Sequence, residues 1–280
     1  MAELSPGIVA AIIVLTFLCE YMDSTLGMGY GTTFTPLLLL FGFNPMQIVP
    51  AVLLSQLICG FLGAFFHHRE GNVNLKPSTA DIFKITNMLS SLGYVDTFRK
   101  TVPSHLKVAL LLGVCSMVGT IAAVFVAVNI PKFWLKLYIG VLVLAMGVLV
   151  LICLNREFKF SWFKVTVLGI VASFNKGMSG GGYGPIVTGG QILSGVEGKS
   201  AVGITSLAEG LTCLVGVMTY ILVSNSSIDW RLAPWIVFGA IFSVPLSAKS
   251  VKLIDTKKLK LAIAVLTIIL GSVTIIITLV

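Results

Sequence analysis

The sequence predicts an all-α polytopic membrane protein. About ten membrane segments form two inverted five-segment repeats with broken helices. Three observations predict this. The 280 residues are 56% hydrophobic and 11% charged, with mean hydropathy +1.01, whereas soluble domains carry about 25% charged residues. Apolar runs such as 106–128, 133–154 and 259–280 recur, each near the roughly 20 residues that cross a bilayer as a helix. A glycine-rich break occurs twice, as Gly27-Met28-Gly29-Tyr30-Gly31 and as Gly180-Gly181-Gly182-Tyr183-Gly184. The runs are continuously apolar, without the alternation of a transmembrane β-barrel.

The segments read, in order, as 5–22, 33–43, 46–66, 106–128, 133–154, 160–175, 184–194, 198–223, 231–248 and 259–280. The first lacks a basic region before it and reads as a retained span, not a cleaved signal. The second and seventh are too short to cross as regular helices, and each directly follows a glycine break. The connection 67–105 is the one long loop. Its Ala80–Leu92 stretch is modestly amphipathic, the pattern of a helix lying on the membrane surface. The two domains are therefore 1–154, including that loop, and 155–280. All five cysteines (Cys19, Cys59, Cys115, Cys153, Cys213) fall in apolar segments without metal-ligand spacing and read as packed free thiols.

The halves align without a gap at the 153-residue offset from Gly27 to Gly180. At that offset Gly29, Tyr30 and Gly31 meet Gly182, Tyr183 and Gly184. Thr35 meets Thr188, Gly42 meets Gly195, and Gly63 meets Gly216.

Charge sets the orientation. Of the 19 lysines and arginines, 15 fall after segment 3, between the halves, before segment 8 and before segment 10. Those connections belong in the cytoplasm, which leaves both termini on the non-cytoplasmic side of the cell (inner) membrane. The net charge of +8 reflects this bias, not nucleic-acid binding. If segments 6 and 7 formed one span, Lys249 to Lys260 would fall outside and the bias would reverse. They therefore make two crossings or two arms of a hairpin, and the second half is inverted relative to the first.

Unwound backbone at membrane depth survives only buried in protein or lining a wet cavity. Glycine also lets backbone and ligand approach closely. Segments 2 and 7 begin just past the breaks, where first-turn N–H groups have no helical partner and the dipole end is positive. Two such ends meeting near the midplane make an anion site, the plan of many secondary transporters. The candidate substrate-binding residues are Gly27, Gly29, Tyr30, Gly31, Thr32 and Thr33 in one half, and Gly180, Gly181, Gly182, Tyr183 and Gly184 in the other. Thr35 and Thr188 are further hydroxyl donors. The competing reading is that the glycines only permit close helix packing.

Lys176, beside the second break in Phe174-Asn175-Lys176-Gly177, is an ionisable residue at a depth where such residues are usually functional. Three readings stay open: contact with a substrate anion, an ion pair with Asp23 or Glu20, or snorkelling to the surface. Its counterpart at the 153 offset is Asp23, and the counterpart of Glu209 is Gln56. Gln56 and Glu209 are candidates to line the cavity. Glu20, Asp23 and Glu209 are candidates to carry a coupling proton, although Glu209 is equally explained as a helix-packing hydrogen bond.

Other motifs fail. Gly29-Tyr30-Gly31 resembles a potassium-filter fragment, but a filter needs four like-oriented loops. Gly198-Lys199-Ser200 lacks the upstream glycine of a phosphate loop, since Leu193 stands there. His67 and His68 are adjacent and do not share a helical face. No nucleophile–base pair or metal cluster is present, so no enzyme activity, metal or cofactor is expected.

Together these features resemble the TauE/SafE family, the sulfite and organosulfonate exporters. The resemblance rests on Gly27–Pro36 and Asn175–Gly190, each followed by a long helix with small and polar residues, Ala51–Gly63 and Ala201–Gly216. It implies a secondary transporter, an exporter, of small sulfur-containing anions such as sulfite, sulfoacetate or related sulfonates, in bacterial inner membranes. The implied partners are a small anionic substrate, the lipid bilayer and a second copy in a homodimer. Two other classes compete: an anion channel, and a membrane scaffold or assembly protein without substrate.

Overall fold

Apolar stretches build eleven α-helices among the described residues of the computed structural model, which are 5–77, 101–153, 162–193, 196–223, 228–251, 253 and 256–280, and Pro36 and Pro50 each lie inside a helix. They are α1 (Pro6–Leu26), α2 (Tyr30–Leu40), α3 (Pro45–Arg69), α4 (Ser104–Asn129), α5 (Lys132–Cys153), α6 (Trp162–Ser179), α7 (Tyr183–Leu193), α8 (Gly198–Val223), α9 (Ala233–Ile241), α10 (Ser243–Ser250) and α11 (Thr256–Leu279). Six of them, α1, α3, α4, α5, α8 and α11, are long and apolar enough to cross a membrane. The Ala80–Leu92 stretch lies outside the described residues.

Local chemistry sets the boundaries. Ser5 caps α1 by accepting the Ile8 N–H at 3.4 Å, and Pro6 occupies the first turn, where its missing N–H costs nothing. Gly27 ends α1 in the left-handed region, φ 69°, with its N–H bonded to Asp23 O at 2.6 Å. A capping box between Asn44 and Gln47 starts α3. In both short helices the tyrosine of the break is the first helical residue. For α2 this is three residues before the start expected at 33.

The segment expected at 231–248 is two helices. α9 ends at Ile241 and α10 starts at Ser243. Pro245 has no N–H for the Ile241 carbonyl and its ring crowds that turn, so the helix breaks at Phe242.

Packing is reciprocal between the halves. α3 packs on α8, and α5 on α11. α4 packs on α6, while α1 packs on α9 and α10; α4 also packs on α8, while α9 and α10 pack on α3. Taken in helix order, with α4 answering to α9 and α10 and α5 to α11, these are the same pairings with the halves exchanged; the 153-residue offset itself relates only α1, α2 and α3 to α6, α7 and α8 in these pairings. α3 and α8 cross where a Cβ on Gly60 would come 2.8 Å from Gly210 Cα. Small residues at such a crossing let the backbones touch. Val114 and Val118 of α4, Val141 of α5 and Ile276 of α11 are exposed apolar side chains, the surface a lipid environment requires.

Candidate functional site

The two breaks lie against each other, backbone on backbone. Gly27 and Gly29 adopt φ 69° and 125°, and Gly180 and Gly182 adopt 73° and 80°, a region that glycine enters without penalty. A Cβ on Gly31 would collide with Gly180 O and come 2.6 Å from Gly181 Cα. A Cβ on Gly181 would come 2.6 Å from Gly31 C, and one on Gly184 would collide with Gly27 O and come 2.7 Å from Met28 Cα. Close packing is therefore part of what these glycines do, and what they pack is one break on the other. Tyr30 and Tyr183 are fully buried beside the crossing. The Tyr30 hydroxyl donates to Ser55 Oγ at 2.9 Å, and Tyr183 Oη lies 3.5 Å from Ser116 Oγ.

A relay of hydrogen bonds ties the crossing to the second half. Gln191 Nε2 donates to Thr205 Oγ1 at 3.0 Å, Thr205 and Thr188 bond through their hydroxyls at 2.8 Å, and Thr188 Oγ1 donates to Gly27 O at 2.7 Å. Thr32 Oγ1 donates to Gly29 O at 3.3 Å, within its own break.

The charged residues resolve into pairs. Lys176 Nζ donates to Glu209 Oε1 at 2.6 Å, and Lys176 is 1% exposed. It neither snorkels nor pairs with Asp23 or Glu20. Its partner is Glu209, one long helix away on α8. Asp23 is bound twice: Tyr30 N–H donates to Oδ1 at 3.2 Å, and Gln56 Nε2 donates to Oδ2 at 3.2 Å. The positive start of α2 thus already holds a carboxylate of the same chain. Glu20 Oε1 accepts from Ser24 Oγ at 2.6 Å.

One further pair was missed from sequence. His67 Nε2 donates to Ser24 O at 2.8 Å, and its Nδ1 accepts from Asn72 Nδ2 at 3.0 Å. Tyr220 Oη donates to Gly177 O at 2.9 Å. Tyr220 lies 153 residues after His67, and Gly177 lies 153 after Ser24. The same carbonyl in each half is held by a donor at the same position, once an imidazole and once a phenol. The shared offset was the available signal.

Glu20, Asp23, Ser24, Gln56, Cys59, Gly60, Ser206 and Glu209 line a cavity of about 10 Å³ next to the crossing. That is the room of roughly one water. Four buried acceptor or hydroxyl atoms around the breaks find no hydrogen-bond partner: Glu20 Oε2, Gln56 Oε1, Thr33 Oγ1 and Thr35 Oγ1. Buried polar atoms are normally satisfied, so such atoms mark a place where something else binds or moves. Cys19, Cys59, Cys115 and Cys213 are free thiols.

Comparison with known proteins places this geometry in a family. The family described as "Sulfite exporter TauE/SafE" matches residues 12–80 and 80–274, which includes both breaks and all the pairs above. The chain belongs to the TauE/SafE family. A relative, "Probable membrane transporter protein YtnM" of Bacillus subtilis (strain 168), is 25% identical over 257 residues, covering 85% of this chain and 73% of its own. No solved structure matches the chain. This TauE/SafE protein is all-helical through its described residues and carries several apolar membrane-length helices, as a multi-pass membrane protein does.

Proposed function

We propose that this TauE/SafE protein is a secondary transporter that exports small sulfur-containing anions, such as sulfite or organosulfonates, by alternating access. The observation that carries the reading is the convergence at the crossed breaks. Two helices, α2 and α7, start there with the positive ends of their dipoles. The hydroxyls of Thr33 and Thr35 lie buried beside the start of α2 with no partner. Backbone N–H groups within Gly27–Thr33 and Gly180–Gly184, apart from those of Gly27, Tyr30, Thr33, Gly180 and Gly181 that already bond within the chain, supply donors, with those hydroxyls, to the oxygens of a sulfonate or sulfite.

The reciprocal packing of the halves supports the inverted five-plus-five repeat, and with it the cytoplasmic placement of the lysine-rich connections and the outer placement of both termini. The closed contact between the breaks supports a carrier over a continuously open pore. A cavity of about 10 Å³ admits no oxyanion. Substrate binds when one half, or one bundle, rocks away and the breaks part. Lys176 then exchanges part of its bond to Glu209 for the substrate charge, while Gln56 and Glu209 face the widened cavity.

Uptake of radiolabelled sulfoacetate by proteoliposomes holding the purified full chain tests the proposal. Saturable uptake that sulfite inhibits, and that Gly181→Ala abolishes, is the expected result. Flux that never saturates supports a channel. No flux of any sulfonate or sulfite supports a protein without transport substrate.

A further inference from the structure

We propose that Glu20 is the coupling-ion site of the transporter, carrying one exchangeable proton on Oε2 in the small cavity between α1, α3 and α8. The inference rests on the transport reading above and adds to it the ion that drives the cycle.

The cavity gathers three carboxyl groups, Glu20, Asp23 and Glu209, against a single ammonium, that of Lys176. With every group ionised, the cluster would bury two uncompensated negative charges, which a protein interior resists strongly. The partners are unevenly shared. Glu209 has Lys176. Asp23 has the Tyr30 N–H and the Gln56 amide. Glu20 has the Ser24 hydroxyl on Oε1 and nothing on Oε2.

Gln56 Oε1 is also without a partner. Glu20 and Gln56 are each 2% exposed, and both line the same one-water space. Two acceptors cannot satisfy each other. A proton on Glu20 Oε2 turns one of them into a donor, able to reach Gln56 Oε1 directly or through one water. A metal ion is the poorer answer: Asp23 and Glu209 are already held by the Tyr30 N–H, Gln56 and Lys176, and among the described residues no His, Cys, Asp and Glu cluster is arranged to hold one.

The other titratable groups facing Glu20 are Cys19 and Asp23 on α1, Tyr30 on α2, Cys59 on α3, Lys176 on α6, and Glu209 and Cys213 on α8. α9 and α10, which also pack on α1, bring only Lys249, which is exposed.

The geometry also links proton to anion. Gln56 lines the Glu20 cavity with its Oε1 unpartnered and holds Asp23 with Nε2, and Asp23 holds the first N–H of α2. A proton taken from one side forms the Oε2–H bond and recruits Gln56 Oε1. Its loss to the other side restores the carboxylate and releases that amide. Each change is felt, through Gln56 and Asp23, at the helix start where the anion binds.

Infrared spectra of the purified full chain in lipid, recorded across a pH series, test the inference without any substrate. The expected result is a carboxylic-acid C=O band that grows as pH falls, disappears in Glu20→Gln, persists in Asp23→Asn, and is the same in sodium and potassium chloride. A band that survives in folded Glu20→Gln overturns the proposal. So does a wild-type protein with no such band, or a band displaced by sodium. If Glu20→Gln does not fold, Glu20→Asp serves instead: a band moved in frequency supports the assignment and an unmoved one overturns it. In proteoliposomes that transport sulfoacetate, a pH gradient should drive accumulation by the wild type and fail to drive it in Glu20→Gln. Gradient-driven accumulation in that variant contradicts the coupling role. Failure of wild-type sulfoacetate flux speaks only to the transport reading and leaves the infrared result standing.

Discussion

Lys176 donates to Glu209 at 2.6 Å from the positions that lie 153 residues after Asp23 and Gln56, which bond each other at 3.2 Å. The two halves keep the same link between the helix that ends at the break and the long helix that follows. The donor sits on the long helix in one half and on the broken helix in the other. Only the second link carries opposite charges, and both its partners are buried.

Removing one member of that pair leaves the other charge stranded. Lys176→Met is expected to destabilise the protein by about 3–5 kcal/mol. Adding Glu209→Gln to Lys176→Met should recover most of the loss. Thermal unfolding of the three purified variants in one detergent checks this. Losses that simply add in the double variant would contradict the pairing.

The crossing has no room for a methyl group. Gly31→Ala and Gly181→Ala force backbone against backbone, with a cost of at least about 1–3 kcal/mol and loss of transport. Gly189→Ala, in α7 with nothing within 4 Å of its added Cβ, should be neutral or stabilising by up to about 1 kcal/mol. Melting temperatures and sulfoacetate uptake, measured on the same preparations, separate the two outcomes.

His67 and Tyr220 do one job in two halves. His67→Phe and Tyr220→Phe each leave a buried carbonyl without its donor and should cost about 1–3 kcal/mol. His67→Phe should be the costlier, because Asn72 also loses an acceptor. Equal stability of both variants and the wild type in denaturation experiments would show that these bonds are not made.

The unpartnered hydroxyls behave the opposite way. Thr33→Val and Thr35→Val remove no hydrogen bond of the closed conformation, so stability should stay within about 0.5 kcal/mol. The KM for sulfoacetate should rise at least about tenfold, since one hydrogen bond to a charged group is worth about 1.5–3 kcal/mol. A drop in melting temperature with unchanged KM would assign the two residues to structure alone.

The breaks were legible in the sequence because positive φ and backbone contact leave glycine almost alone as an option, and because the pattern is written twice. The offset then identified Asp23 with Lys176 and Gln56 with Glu209, although not who bonds whom. Lys176 was open to Asp23 or Glu20, since both are acids beside the other break. Its true partner depends on how α6 lies along α8, which no local pattern encodes. The fracture of the ninth segment was hidden because hydropathy runs smoothly through Phe242, although Pro245 carried the signal. His67 was read only against its neighbour His68. Its likeness to Tyr220 is one of geometry and hydrogen-bond donation, and a comparison of residue types passes over it.

Calorimetric titration of sulfoacetate into the purified protein tests the central claim most directly, that crossed glycine breaks form the site of a small anion. Saturable binding at one site per chain, weakened about tenfold in Thr33→Val and competed by sulfite, is the result this account predicts. Binding of equal strength in wild type and Thr33→Val, or no binding of either anion by the folded protein, would contradict it.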